Sequence, residues 1–328
     1  MWELVVEDFR DYEYARLISS VLTLYYFESL SQYQIAEQLG LSTAKVNRLL
    51  KQARQQGMVE IVLRTPFQTI FNLEQQFQSI TGIKKAIIVP CLTENPEATT
   101  QLIGRAAANF LMEQIRDGDT ICLGGGNGVR SVVQNITGRK IFDNITVVPA
   151  LGGVQGRYET DVNNLAADLA QRLGAASYAF HAPAITDCAE ERENLIQLRQ
   201  VKEVLDIARG AQIALYGIGA VRPETASFFR FTSLREDEVK DLIADPNNTG
   251  EILAHILDPQ GNVATPAFEQ RVVGLGLPEL DRIPLTIGIA TSEEKVLPVV
   301  AAIRGGHVKA LVTDEKTARA VIDLYQQS

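Results

Sequence analysis

From Lys85 onward the chain repeats one pattern, a short apolar run followed by a longer amphipathic stretch. AIIVP precedes a helical pattern over 100–115, TICLG one that starts after Asn127, and ITVVPALGG one near 162–173. SYAFHAPAI precedes a helical stretch near 191–208, and QIALYGIG, VVGLGL and LTIGIA are further strand-like runs. EEKVLPVVAAIRGG, with Pro298 in its first turn or two, leads to VKALVTD and a closing helix across 317–325. Continuous apolar runs mark strands buried on both faces, and helices between them give a mostly parallel sheet. The pattern predicts an α/β domain, whose ligands would bind beyond the carboxyl ends of the strands.

Glycines recur at those ends. In TICLGGGNGVR, Gly124, Gly125 and Gly126 follow a strand, and a helix opens near Asn127 or Gly128. Such a turn lets backbone N–H groups approach an anion or hydroxyl. Its spacing matches neither GxGxxG nor GxxxxGK[ST], so a dinucleotide fold or a P-loop kinase is poorly supported. Gly152 and Gly153 form a second turn of this type, followed by Arg157 and Asn163. Glu251 and Asp258 flank the apolar run ILAHIL. Lys295 opens a helix, where a cation opposes the helix dipole unless an anion or acid offsets it. His181, His255 and His307 lack metal-ligand spacing, and neither GxSxG nor HExxH is present. No cofactor, metal or catalytic residue is expected.

The N-terminal region differs in charge. The chain carries a net charge of -9, yet residues 42–54 hold Lys45, Arg48, Lys51 and Arg54 and no acidic residue. Helical periodicity over 11–27 precedes Ser31, a capping-box candidate with Gln34, and the short helix QYQIAEQLG. Gly40 then turns the chain, and Ser42 caps TAKVNRLLKQARQQG. Two short helices joined at a glycine suggest a helix-turn-helix. Its second helix offers Ser42, Thr43, Lys45, Asn47, Arg48 and Lys51 to phosphates or base edges of double-stranded DNA. Met58–Leu63 reads as a short extended wing. The acidic remainder repels DNA, so any contact belongs to this module.

Pro66 closes the module. FQTIFNLEQQFQSITG then carries Ile70, Leu73, Phe77 and Ile80 at spacings near a coiled-coil seam. Such a helix either covers the following domain or pairs with another subunit. The expected division is a DNA-binding domain over 1–64, a linker helix over 65–82 and an effector domain over 83–328. Cys91, Cys122 and Cys188 give no CxxC pair and no disulfide framework. With no basic leader and no apolar run of spanning length, a cytoplasmic protein without a membrane partner is expected.

These blocks resemble the SorC family of bacterial transcriptional regulators, also called sugar-binding DeoR-like regulators. The resemblance covers nearly the whole chain. It is carried by YYFESLSQYQIAEQLGLSTAKVNRLLKQARQQGMVEI, LEQQF, TGIKKAIIVP, LIGRAAANFL, DGDTICLGGGNGV, VVPALGG, ALYGIG, GIATSEEK and AAIRGGHVKALVTDEKTA, in that order. It implies an effector domain akin to ribose-5-phosphate isomerase and glucosamine-6-phosphate deaminase, a sugar, polyol or sugar-phosphate effector, and a homo-oligomer, dimer or tetramer. By motif it assigns the effector to Gly125, Gly126, Asn127, Gly128, Gly153 and Lys295, with Glu251 and Asp258 as an acidic pair. Two departures stand out: GGGNG replaces a run often written SWGRT, and Glu251 stands where aspartate is usual. The expected function is a transcriptional regulator whose operator binding is switched by a carbohydrate. The alternative is a sugar-phosphate isomerase-like enzyme with an accessory DNA-binding module, which needs Glu251, Asp258 and His255 in one pocket.

Overall fold

The computed structural model describes residues 9–59, 68–92, 95–137, 142–154, 158–222, 227–230 and 234–327. The chain divides into two compact units between Pro66 and Phe67.

The small unit holds α1 (Phe9–Leu22), extended by a wider π turn over Thr23–Phe27, then α2 (Gln32–Leu39) and α3 (Thr43–Gln55). Ser31 and Gln34 form the reciprocal capping box, Gly40 takes φ 64° to end α2, and the Ser42 hydroxyl accepts from Lys45 N–H to open α3. Ile18, Val21, Leu24, Ile35, Ala36, Val46, Leu49, Leu50 and Ala53 close one apolar core. Tyr14 Oη donates to Gln52 Oε1 at 2.6 Å, and Arg54 Nε donates to Tyr26 Oη at 3.0 Å, tying α3 to the first helix. Residues 60–63 of the expected wing lie outside the described residues.

The large unit opens with α4 (Gln68–Thr81), β1 (Lys85–Val89), α5 (Pro96–Gln114), β2 (Thr120–Leu123), α6 (Asn127–Gln134) and β3 (Thr146–Pro149). It continues through α7 (Val162–Leu173), β4 (Ala176–Ser177), α8 (Ala189–Gln197), α9 (Arg199–Arg209), β5 (Ile213–Gly217) and β6 (Gly219–Ala220). Next come α10 (Ser227–Arg230), α11 (Glu236–Ala244), β7 (Gly250–Ile252), β8 (His255–Leu257), α12 (Pro266–Glu269) and α13 (Leu277–Leu280). The unit ends with β9 (Leu285–Ile289), α14 (Val296–Arg304), β10 (Ala310–Asp314) and α15 (Glu315–Gln327).

Seven strands form a wholly parallel sheet in the order β1-β10-β9-β5-β2-β3-β4. Alternate side chains serve two apolar layers, as the strand period requires. Ile121, Leu123, Val147, Ile213, Leu215 and Val312 face one layer, with residues of α5, α6 and α7. Cys122, Val148, Ala214, Tyr216 and Leu311 face the other, with residues of α4, α9, α14 and α15. Ile70, Leu73 and Phe77 of α4 are buried in that second layer. The seam therefore covers the following domain, the first of its two readings. Glu74 Oε1 also accepts from Ile88 N–H at 2.9 Å, occupying a donor on edge strand β1.

Strand order reverses between β2 and β5. From β2 the chain moves outward through β3 and β4, then returns to lay β5, β9 and β10 on the other side. Such a reversal opens a crevice at the carboxyl ends of the two central strands. A small antiparallel sheet, β6-β7-β8, stands beside it. Two of the expected strands are not strands. SYAFHAPAI contributes only Ser177 to β4 and otherwise bridges, and VVGLGL pairs only through bridges such as Ile185 with Val272 and Leu151 with Gly274.

Candidate functional site

The crevice holds a cavity of about 410 Å³. The turn after β2 supplies Gly124–Gly128, the end of β5 supplies Tyr216–Gly219, the β7–β8 hairpin supplies Glu251, Leu253 and Ala254, and the segment after β9 supplies Ala290–Ser292, Glu294 and Lys295. Gly126 takes φ 101° and precedes the first turn of α6. Its N–H donates to Thr160 O at 3.0 Å, and a side chain there would be strained.

The hairpin carrying Glu251 has an unusual turn. Leu253 and Ala254 both take positive φ, 50° and 68°, in a two-residue loop that favours glycine or asparagine. Glu251 Oε1 accepts from Ala254 N–H at 2.8 Å and holds that turn. Its Oε2 lies where a β-carbon on Gly219 would stand, so only glycine admits the carboxylate there. Burial raises the Glu251 pKa, opposed by the Ala254 hydrogen bond and the charges of His255 and Lys295.

Lys295 ends a short 3-10 turn, Glu293–Lys295, and stands at the start of α14. It is half-buried. Burial lowers its pKa, while Glu294 and Glu251 pull it back up. Its ammonium makes no hydrogen bond or ion pair with the described residues. The cavity thus joins the start of α6, Lys295 and the Glu251 carboxylate, with Asp161 and Glu294 also in its lining.

The other expected residues are placed differently. Gly153 lines a neighbouring cavity of about 620 Å³, with Asn163, His181 and Arg271. Asp258 is absent from the crevice: its carboxylate accepts from Gln260 N–H and Asn262 N–H, each at 2.8 Å, and closes the turn after β8. The two carboxylates are spent on different turns, Glu251 on the β7–β8 hairpin and Asp258 on the turn after β8. Arg157 lies outside the described residues. Arg130, in the first turn of α6, is paired with Glu159 at 2.6 Å. Asn163 is spent on Phe180, accepting from its N–H at 2.7 Å. Thr160, Asp161, Thr291, Ser292 and Glu294 line the crevice without having been singled out. For the last three, adjacency to Lys295 was the available signal.

His255 does not reach the cavity. It is buried between the Glu269 carboxylate, at 2.8 Å from Nδ1, and Leu275 O, at 2.7 Å from Nε2. With Asp258 also elsewhere, Glu251, Asp258 and His255 do not meet in one pocket.

In the small unit, Ser42, Thr43, Asn47, Arg48 and Lys51 are exposed on α3 and Lys45 is half-buried. The head groups of Lys45, Arg48 and Lys51 make no ion pair with the described residues.

A family model for a sugar-binding domain matches residues 65–323. The sorbitol operon regulator of Klebsiella pneumoniae is 30% identical over 94% of this chain and 98% of its own. The chain belongs to the SorC family of transcriptional regulators. A second family model, sigma-70 region 4, matches residues 19–56, which span the helix-turn-helix. The transcriptional regulator LsrR of Klebsiella pneumoniae is 31% identical over 94% of this chain and 93% of its own. The deoxyribonucleoside regulator of Bacillus subtilis is 28% identical over 95% and 99%. The crystal structure of full-length SorC from Klebsiella pneumoniae superposes with a TM-score of 0.73 at 29% identity, covering 94% of this chain and 98% of that one. These relatives, matched over nearly the whole chain, are transcriptional regulators, and the chain is a transcriptional regulator with a sugar-binding domain, not an enzyme.

Proposed function

We propose that the crevice binds a small carbohydrate effector, a sugar, polyol or sugar phosphate, and that its occupancy controls binding of α3 to double-stranded operator DNA. One observation carries this reading: Lys295 is a half-buried cation without a hydrogen-bond or ion-pair partner among the described residues, in the cavity that also holds Glu251 and the start of α6. A cation held there at a cost in solvation is explained by a ligand that restores its hydrogen bonds. N–H groups at the start of α6 and the lysine suit a phosphate or hydroxyl oxygen. The Glu251 carboxylate suits a hydroxyl donor and repels phosphate, so it grips the other end of the ligand. The names of the relatives, a sorbitol operon regulator and a deoxyribonucleoside regulator, fit a ligand of this class.

Gly153, in the neighbouring cavity, and Arg157 remain candidate effector residues. The expected setting is the cytoplasm, in keeping with the finding that no described helix is long and apolar enough to cross a membrane. A homodimer or tetramer would place two α3 helices on a two-fold operator. Light scattering above the monomer mass checks that reading.

Thermal unfolding in the presence of free and phosphorylated hexoses, pentoses and polyols tests the effector. A ligand that binds only the folded state raises the transition by an amount set by its concentration over Kd. Wild type is expected to respond to members of the panel and Lys295→Ala is not. A panel without any response in wild type would refute the carbohydrate reading.

A further inference from the structure

The segment that carries Lys295 is held by residues outside the cavity. Ser292 takes φ 100° and ψ 154°, a conformation that non-glycine residues rarely adopt and that the surroundings must impose. Its N–H donates to Thr317 Oγ1 at 3.1 Å. The same Thr317 hydroxyl donates to Asp314 Oδ2 at 2.6 Å, and Thr291 Oγ1 donates to that oxygen, also at 2.6 Å. Asp314 Oδ1 accepts from Thr317 N–H at 2.9 Å and from the Cys91 thiol at 3.6 Å. Asp314 is 4% exposed and Thr317 2%. Burial alone would raise the Asp314 pKa, but the hydrogen bonds from Thr291 and Thr317 hold it below the usual carboxylate range.

Asp314 is the last residue of β10, and Thr317 lies in the first turn of α15. That helix contacts both the 293–295 turn and α4. In turn, α4 is the first described helix after the boundary with the DNA-binding unit. One buried carboxylate therefore joins the strained cavity segment to the start of a helix that packs on α4.

We infer that Asp314, acting through Thr317 and Thr291, is the positioning residue that presents Lys295 to the cavity and links the cavity segment through α15 to α4. Asp314 touches no ligand. It fixes a backbone that would otherwise relax from its strained φ, and with it the lysine three residues on. What the lysine is held for rests on the effector reading above, but the hydrogen-bonded link does not. The Asp314–Thr317 pair is the hydrogen-bonded element that the two ends share, and the test asks whether disturbing it reaches both.

The test uses the full-length protein and needs no sugar. Reductive methylation with 13C-formaldehyde gives each lysine an NMR signal whose titration can be followed, and Lys295→Arg assigns the one of interest. In wild type that signal is expected to titrate below the ordinary lysine range. Thr317→Val removes both roles of the hydroxyl without changing charge, and is expected to return the midpoint toward that range. Thr317→Ser keeps the hydroxyl and should restore wild-type behaviour. Hydrogen exchange read by mass spectrometry should be several-fold faster in T317V over 290–296 and over 68–81, and unchanged in T317S. If T317V does not fold, Thr291→Val and Asp314→Asn take its place with the same expectations. An unchanged lysine midpoint together with unchanged exchange over 290–296 overturns the positioning role. Faster exchange over 290–296 with none over 68–81 overturns the link to α4. Failure of the sugar panel would leave both outcomes readable, so the two proposals fail separately.

Discussion

Glu251 and Lys295 line the same cavity and act on each other's ionisation, yet they form no ion pair within 4.0 Å. Opposite charges in one cavity attract, so keeping them unpaired requires that their positions be fixed. Glu251 is fixed by its hydrogen bond to Ala254 N–H, and Lys295 by its place at the start of α14. The two charges therefore share the cavity without pairing directly. A site of this kind trades stability for binding.

Substituting the lysine exposes that trade. Burial disfavours its charge, so the unfolded chain keeps the Lys295 proton at a pH where the folded chain has released it. Its contribution to stability therefore rises with pH between the lowered value and the ordinary lysine range. Glu251 behaves in reverse: the folded chain keeps a proton that the unfolded chain has lost, so its contribution falls as pH rises from the ordinary carboxylate range to the raised value. Both groups cost stability at neutral pH. Lys295→Met should stabilise the large unit by about 1 kcal/mol, or roughly 2–4 °C in Tm, and should abolish the response to the sugar panel. Differential scanning calorimetry with and without ligand measures both effects.

The hairpin strain gives a second test. Ala254 sits at φ 68°, where a β-carbon costs roughly 1–2 kcal/mol. Ala254→Gly removes that cost but adds unfolded-state entropy, leaving a net gain of about 0.5–1 kcal/mol. The Glu251 hydrogen bond to the backbone survives the change. Chemical denaturation should show the gain, with carbohydrate affinity retained.

Much of this architecture was legible in the sequence. Strands β2, β5, β9 and β10 are buried on both faces, so they read as unbroken apolar runs. Gly126 was legible from a glycine run that follows an apolar strand, and Lys295 from a cation at a helix start. SYAFHAPAI and VVGLGL also looked like strands, because Phe180, Val272 and Val273 are buried. Their backbones pair only at single bridges, a tertiary fact that composition does not carry. The helical stretch near 191–208 is broken at Leu198, which is extended at φ -62° and ψ 127° without a proline or glycine to announce it. The turn at Leu253 and Ala254 contains neither glycine nor asparagine, so ILAHIL gives no sign of reversing, and Asp258 lies outside the crevice because its carboxylate closes the next turn at Gln260 and Asn262.

Cysteine reactivity should separate the three thiols. Burial pushes the Cys122 pKa up to about 12, and burial with the nearby Asp314 carboxylate raises that of Cys91. The thiolate is the reactive form, so both are protected in the folded protein. Cys188 is exposed. Iodoacetamide at neutral pH should therefore modify Cys188 first, with Cys91 slower and Cys122 blocked until unfolding. Peptide mass spectrometry over a time course reads the order. Fast labelling of Cys122 in folded protein would contradict its place in the core.

The DNA-binding helix gives the last test. Core positions Val46, Leu49, Leu50 and Ala53 fix one face of α3, which leaves Thr43, Asn47, Arg48 and Lys51 on the exposed side. Lys51 and Arg48 carry charge unpaired by the described residues, as phosphate contacts require. A phosphate contact contributes to binding on any sequence through counterion release, with a salt slope of about 0.9 per phosphate on double-stranded DNA. Lys51→Ala is thus expected to weaken specific and scrambled duplexes alike and to reduce the slope by about 1. Thr43 and Asn47 are uncharged and bear directional hydrogen-bonding groups, so substituting either should leave the slope nearly unchanged. If they reach base edges, their loss costs about 1–3 kcal/mol on the preferred operator and little on scrambled DNA. Fluorescence anisotropy on both duplexes at several salt concentrations resolves the two patterns. A Lys51→Ala protein with wild-type affinity and slope would remove α3's C-terminal half from the interface and shift the phosphate contacts to Lys45 and Arg48.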